Sequence, residues 1–168
     1  MTISMYQASI PVFIHKLENL SNLLAKGAAD AEARKIDPSV FINARLAPDM
    51  FPLSRQVQIA CDSAKTGAAR LAGIEFPSFE DSETTFSQLQ ERVAKTIAFI
   101  KNIDAAQIDG SEDRKITYTQ RGKESNFIGL PYLLNYVLPN LYFHITTTYA
   151  ILRHNGVDVG KRDFLGNL

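Results

Sequence analysis

Residues 127–152, FIGLPYLLNYVLPNLYFHITTTYAIL, contain no Asp, Glu, Lys or Arg. A stretch of that length could cross a bilayer. It is interrupted, however, by Gly129, Pro131, Asn135, Pro139, Asn140, His144 and the threonines Thr146, Thr147 and Thr148. Each polar side chain costs free energy in lipid unless it finds a partner, so the stretch predicts a helix buried inside protein rather than a membrane span. Pro131 suits its first turn, Gly156 ends it just after Asn155, and Pro139 should bend it. Leu133, Leu134, Tyr136, Val137, Leu138, Leu141, Phe143, Ile145, Ile151 and Leu152 surround the axis. A helix apolar on every side must be covered on every side. Either it lies centrally in a bundle, or its outer face meets another subunit.

Working back toward the N-terminus, three further helices can be read. Ile3, Tyr6, Ile10, Phe13, Leu17, Leu20 and Leu24 recur at spacings of three and four, the seam of a helix packed nearly parallel to its neighbours. Pro11 predicts a kink near residues 7–11 or a late start, and Gly27 an end. A short helical turn through Ala28–Lys35 and an irregular connection from Asp37-Pro38 to Pro52 should follow. A second helix is expected from Pro52 to Gly73, with Leu53, Val57, Ala60, Ala64, Ala68 and Leu71 as its stripe. A third, capped by Asp81 or Ser82, presents Phe86, Leu89, Val93, Ile97 and Ile100. Between Asp109 and Gly129 the period changes: Ile116 and Tyr118, then Gln120-Arg121-Gly122-Lys123, then Phe127 predict two short strands around a turn. The tail from Gly156 to Leu168 reads as a loop. Four long helices predict an all-α four-helix bundle with a small β-hairpin before the last helix.

Composition bounds the function without naming it. The chain has 168 residues, 45% of them apolar, which is one domain's worth of core over residues 1–168. Eighteen basic and eighteen acidic residues give zero formal net charge. That balance argues against a nucleic-acid module, which needs a basic face for phosphates, and against a polybasic membrane anchor. Cys61 is the single cysteine, so no intrachain disulfide can form and a reducing, cytoplasmic setting fits. The N-terminus has neither the basic start nor the continuous apolar run of a signal peptide.

Few residues could carry chemistry. His15 falls opposite the seam of the first helix, toward solvent. His154 sits in the last turn of the fourth, where an imidazolium suits the dipole. His144 differs, standing mid-helix among apolar residues one turn after Asn140 and one turn before Thr148. A buried polar row demands hydrogen-bond partners; it is either a satisfied core network or the floor of a pocket. Cys61 reads as a buried inert thiol. Arg55 and Asp62 fall on the outer side of the second helix, Gln58 at the edge of its stripe, and Lys161-Arg162-Asp163 form a surface charge cluster. No phosphate loop, CxxC pair, HExxH, Glu-x-x-His or Gly-x-Ser-x-Gly elbow occurs.

Two segments carry a family resemblance. LPNLYFHITTTYAILRHNGV, Leu138 to Val157, continued by GKRDFLG, Gly160 to Gly166, resembles the C-terminal signature of an uncharacterised bacterial branch of the DinB-like superfamily. RLAPDMFPLSRQVQIACD, Arg45 to Asp62, resembles the same branch. The resemblance implies an up-down-down-up four-helix bundle, commonly a homodimer. In many members three histidines, one on the second helix and two spaced by four on the last, hold a divalent metal; some are thiol-dependent transferases. Set against that pattern, the last-helix pair falls on Asn140 and His144, and the second-helix ligand falls near Gln58, give or take a residue or two. Amide oxygens are poor donors for zinc or nickel beside imidazole. The expectation is therefore a protein with no cofactor, in which Gln58, Asn140, His144, Tyr142 and Thr148 line a polar pocket that binds a small molecule or supports an interaction. The alternative is a divalent-metal (Zn or Ni) transferase or hydrolase, with His144, Asn140 and Gln58 as ligands, or with Asp62 or water completing the shell. A third reading is structural only: the cluster fixes register at a dimer face.

Overall fold

The computed structural model describes residues 2–120 and 122–167. Helix α1 (Met5–Ala33) begins at a reciprocal cap in which the Gln7 amide donates to Ser4 Oγ and the Ser4 amide to Gln7 Oε1. Ile3 therefore lies before the helix, 80% exposed, while Ile10, Phe13, Leu17, Leu20 and Leu24 are buried as their spacing predicts. Pro11 stays within α1 on its exposed side, where its missing N–H leaves a carbonyl to water. Gly27 does not end the helix. A Cβ there would stand 2.9 Å from Leu152 and 3.1 Å from the Phe86 ring, so its lack of a side chain lets three helices meet.

The connection after Asp37 contains a short helix α2 (Pro38–Ile42) that buries Phe41 and Ile42. Helix α3 (Leu53–Ala72) buries its whole predicted stripe and is closed by Gly73 at φ +70°, a left-handed position that favours glycine. Helix α4 (Phe86–Lys101) is capped by Thr85 with Gln88, not by Asp81 or Ser82; Asp81 is taken up by ion pairs instead. A one-turn helix α5 (Ala105–Ile108) leads to the hairpin of β1 (Lys115–Gln120) and β2 (Lys123–Ile128), antiparallel with Tyr118 opposite Ser125. Arg121, in the expected turn, lies outside the described residues.

The last helical rod runs without a break from α6 (Gly129–Tyr132) through a π-helical turn (Leu133–Val137) into α7 (Leu138–His154). Pro139 lacks the amide that would continue the α-ladder, and the wider turn falls just before it. The rod does not lie centrally, covered all round by its own chain. One face packs on α3, but Leu134, Tyr142 and Phe143 are open, Phe143 at 55% exposure. The tail is not a plain loop either. Helix α8 (Lys161–Leu165) lies on α1, held by Lys26 to Asp163 at 2.7 Å and by donors on α1 that reach its end carbonyls. Lys16 and Asn19 donate to Phe164 O, and Asn19 and His15 Nε2 donate to Leu165 O. His15 is thus a tail anchor rather than a solvated side chain.

The core is filled by Phe13, Leu17, Leu20, Val57, Ala64, Leu89, Leu141 and Ile145 among others, all inaccessible to water. Among the described residues no helix is long and apolar enough to cross a membrane.

Candidate functional site

Three contacts set α3 against the last rod: Gln56 with His144, Gly67 with Val137, and Arg70 with Tyr132. Numbers rise on one side as they fall on the other, so the two run antiparallel. Along their seam, with the hairpin closing one end, lies a cleft of about 770 Å³. Its lining from α3 is the half-buried flank Arg55, Ile59, Asp62, Ser63, Thr66 and Arg70. The rod contributes Tyr132, Tyr136, Val137, Asn140 and His144, and the hairpin Tyr118, Lys123 and Ser125.

His144 is 9% exposed and its protonation can be read from its partners. Gln56 Nε2 donates to the Phe51 carbonyl at 3.0 Å, which turns Gln56 Oε1 toward the imidazole. A carboxamide oxygen can only accept, so Nδ1 of His144 carries the proton and donates to it at 2.7 Å. Nε2 is then the unprotonated nitrogen, with its lone pair available as acceptor, base or ligand. Burial, and secondarily the nearby Arg55 charge, bring the ring down to about 4 from its ordinary 6.5. The imidazole is neutral at pH 7.

The other expected pocket residues divide. Asn140 lines the cleft, with its Nδ2 committed to the Tyr136 carbonyl at 2.6 Å. Thr148 is fully buried and bonds back to the His144 carbonyl at 2.9 Å, below the cleft rather than in it. Tyr142 lies on the open face of α7. Gln58 points the other way, toward α4: its Nε2 donates to Glu83 at 2.9 Å and its Oε1 accepts from Arg55 at 3.1 Å. Gln56, two residues earlier, is the side chain that reaches His144. Arg55 and Asp62, expected in solvent, are both engaged: Arg55 with Asp81, and Asp62 with Lys65 at 2.9 Å and Arg92 at 3.2 Å. Cys61 is buried as expected, its thiol pushed up to about 12 by desolvation. His154 is exposed in the last turn of α7.

The hairpin end is aromatic and basic. Tyr118, Phe127, Tyr132 and Tyr136 cluster with ring centroids 5.2 to 6.1 Å apart. Arg70 lies 3.9 Å over the Tyr118 ring and donates to the Tyr132 hydroxyl at 2.9 Å. The Tyr118 and Tyr136 hydroxyls meet at 2.5 Å.

The domain of unknown function DUF1993 matches residues 5–165. The chain belongs to the DUF1993 family. Its fold is also similar to the crystal structure of a DinB family member protein from Shewanella denitrificans, at 43% sequence identity and a TM-score of 0.88, covering 97% of this chain and 92% of that one. No curated protein matches. The DinB resemblance therefore holds for this DUF1993 chain over nearly its full length.

The three-imidazole metal centre implied by that resemblance does not fit the residues present. His144 supplies one imidazole, Gln58 is turned away, Asn140 keeps only its amide oxygen free, and Asp62 is neutralised by two cations. Among the described residues no three His, Cys, Asp or Glu side chains gather as a metal would need. In this DUF1993 protein the residues missed by sequence reading were Gln56, Arg70, Tyr132, Tyr136 and Lys123. Tyr132 and Tyr136 did stand in the uncharged stretch and Lys123 in the expected turn, but nothing in the sequence marked any of the five as a site residue until α3, the rod and the hairpin were brought together.

Proposed function

We propose that this DUF1993 protein is a small-molecule-binding protein whose cleft works without the three-histidine metal centre that the DinB-like resemblance implies. One observation carries the reading: His144, kept neutral by burial and with its Nδ1–H fixed on Gln56, lines a roomy cleft, while the positions beside it hold amides and a paired carboxylate. A cleft of this size, where aromatic and aliphatic side chains such as Tyr136, Ile59 and Val137 alternate with charged and polar ones, has room for an organic ligand. The up-down-down-up bundle belongs to the same reading. It is supported by Gly27 near Phe86 and Glu18 near Lys101, which oppose α1 and α4, by Gln58 with Glu83 and Asp62 with Arg92, which run α3 and α4 in one direction, and by the antiparallel α3 and α7. A cytoplasmic homodimer is part of the proposal too, with the open strip of Ile128, Leu130, Leu134 and Phe143 as its apolar face.

The competing reading is a divalent-metal transferase or hydrolase with His144 as a ligand. Elemental analysis of the purified protein and of His144→Ala separates them. Neither sample should carry metal in stoichiometric amount, and added zinc or nickel should shift the melting temperature of the parent no more than that of the variant. One equivalent of metal in the parent, lost in His144→Ala, overturns the proposal.

A further inference from the structure

The charges lining the cleft do not balance locally. Arg55, Arg70 and Lys123 face it with one carboxylate, Asp62. Asp62 is matched by Lys65 and Arg92, which are buried behind it, and Arg55 is matched by Asp81. Arg70 and Lys123 remain, and neither has a carboxylate within ion-pair distance among the described residues. Both stand at the hairpin end: Arg70 against Tyr118 of β1, and Lys123 on β2.

The hydroxyls there add donors. When two hydroxyls meet, one proton makes the bond and the other stays free, so the Tyr118–Tyr136 pair keeps one O–H to give. Arg70 donates to Tyr132, which leaves the Tyr132 proton free of that bond. Burial, reinforced at Tyr118 by the bond to Tyr136 and opposed at Tyr132 by Arg70, pushes both phenols upward, so they are protonated. Two cations, phenol donors and stacked rings define an environment for negative charge on a flat apolar body.

We propose that the hairpin end of the cleft is an anion subsite, taking a small organic anion whose carboxylate or phosphate meets Arg70 and Lys123 and whose planar apolar body lies against Tyr118 and Tyr136, which the buried Tyr132 backs. This rests on the small-molecule reading above and names its ligand class. Gln56, which holds His144, and Arg70 are fourteen residues apart on α3, roughly 20 Å of helix. The anion subsite and the His144 nitrogen are therefore two separate stations along one groove.

The test uses a matched pair of fluorescent probes: the aromatic sulfonate 1-anilinonaphthalene-8-sulfonate, standing in for the acid, and uncharged N-phenyl-1-naphthylamine. The full chain should bind the sulfonate about tenfold tighter than the neutral probe. Lys123→Gln, at an exposed position, should weaken the sulfonate about threefold. Arg70→Gln, which can still donate to Tyr132, should weaken it about tenfold. Neither should change the neutral probe, and Thr66→Trp, filling the cleft beside Tyr132, should abolish both. Equal binding of the two probes, or sulfonate binding untouched by both charge variants yet lost in Thr66→Trp, overturns the anion subsite and leaves the small-molecule cleft standing. Probe binding that survives Thr66→Trp puts the dye elsewhere, on the open strip near Phe143, and the cleft reading fails with it.

Discussion

On the α4 side of α3, Arg92, Lys65, Asp62 and Glu83 meet opposite charges as they leave water, whereas on the α7 side Arg70, Lys123 and the Nε2 of His144 are left facing a cleft. The Arg92 side chain is 1% exposed and touches Asp62, Asp81 and Glu83 at 2.8 to 3.2 Å, and it also donates to the Glu80 carbonyl. Those contacts tie the 74–85 connection down onto α3 and α4. On the first flank every charge has an opposite charge, although Arg92 Nε keeps no partner; on the second, Arg55 and Asp62 are drawn to such partners while Arg70 and Lys123 have none among the described residues. Unused donors and acceptors in a concave place are what a ligand needs, and fully matched ones are what a strut needs.

If the α4 flank is a strut, breaking it should be the most damaging single change. Arg92→Met leaves Asp62, Asp81 and Glu83 without their shared cation, and a loss of about 3–5 kcal/mol in urea unfolding is expected. A loss below about 1 kcal/mol would mean that the network behaves like exposed ion pairs, and the contrast between the flanks would collapse. Acid adds a second reading. Burial alone would raise the Glu83 carboxyl, but hydrogen bonds from Arg92 and Gln58 and the Arg92 charge hold it below its usual range. A carboxyl lowered by folding stabilises above its unfolded value and loses that contribution as pH falls through the folded one. The gap between parent and Arg92→Met should therefore narrow in acid.

The α7 flank makes the next largest prediction, and its cause is burial rather than pairing. Unfolded His144 takes up a proton near 6.5, and the folded ring only near about 4. Between those values the unfolded chain binds the extra proton, so stability is complete above the upper value and falls as pH drops toward the lower, by roughly 3 kcal/mol in all. His144→Phe should flatten this part of the stability–pH curve by that amount, whatever it costs at neutral pH. A curve with unchanged slope would mean that the ring titrates in water.

What could be read from the chain alone follows the same division. Residues whose environment is their own helix were legible: the stripe of α3, the α1 seam from Ile10 to Leu24, and His144 as a polar residue among apolar ones. Ile3 extended the α1 spacing past a cap that the spacing itself does not encode. Gly27 looked like a stop because its contacts, Leu152 and Phe86, lie on other helices. Gln56 and Gln58 are separated by about 200° around α3, and which of them meets His144 depends on the side where α7 docks. The ion pairs of Arg55 and Asp62 likewise need partners from Asp81 and Arg92, far away in sequence. Local period encodes burial; it does not encode which neighbour does the burying.

The smallest of the three effects bears on how the open flank keeps its shape. A Cβ on Gly67 would fall 2.5 Å from Val137 Cγ1 and 3.1 Å from Cγ2, and Val137 closes the π-helical turn that precedes Pro139. Gly67→Ala gains about 1 kcal/mol of helix propensity, yet the clash should cost about 1–3 kcal/mol, so a net loss of about 1 kcal/mol is expected. Val137→Ala alone leaves a small void, but combined with Gly67→Ala it should recover most of the loss, a coupling that a double-mutant cycle reads directly. The cleft should register the change as well. Pushing the rod off α3 lengthens the Gln56–His144 contact and lets water reach the ring, so the His144 titration, followed by NMR, should move up from about 4 toward 6.5 in Gly67→Ala and return in the double variant. If stability falls but that titration does not move, the glycine serves helix packing only, and the geometry of His144 is set by Gln56 and Phe51 without help from the close approach of the two helices.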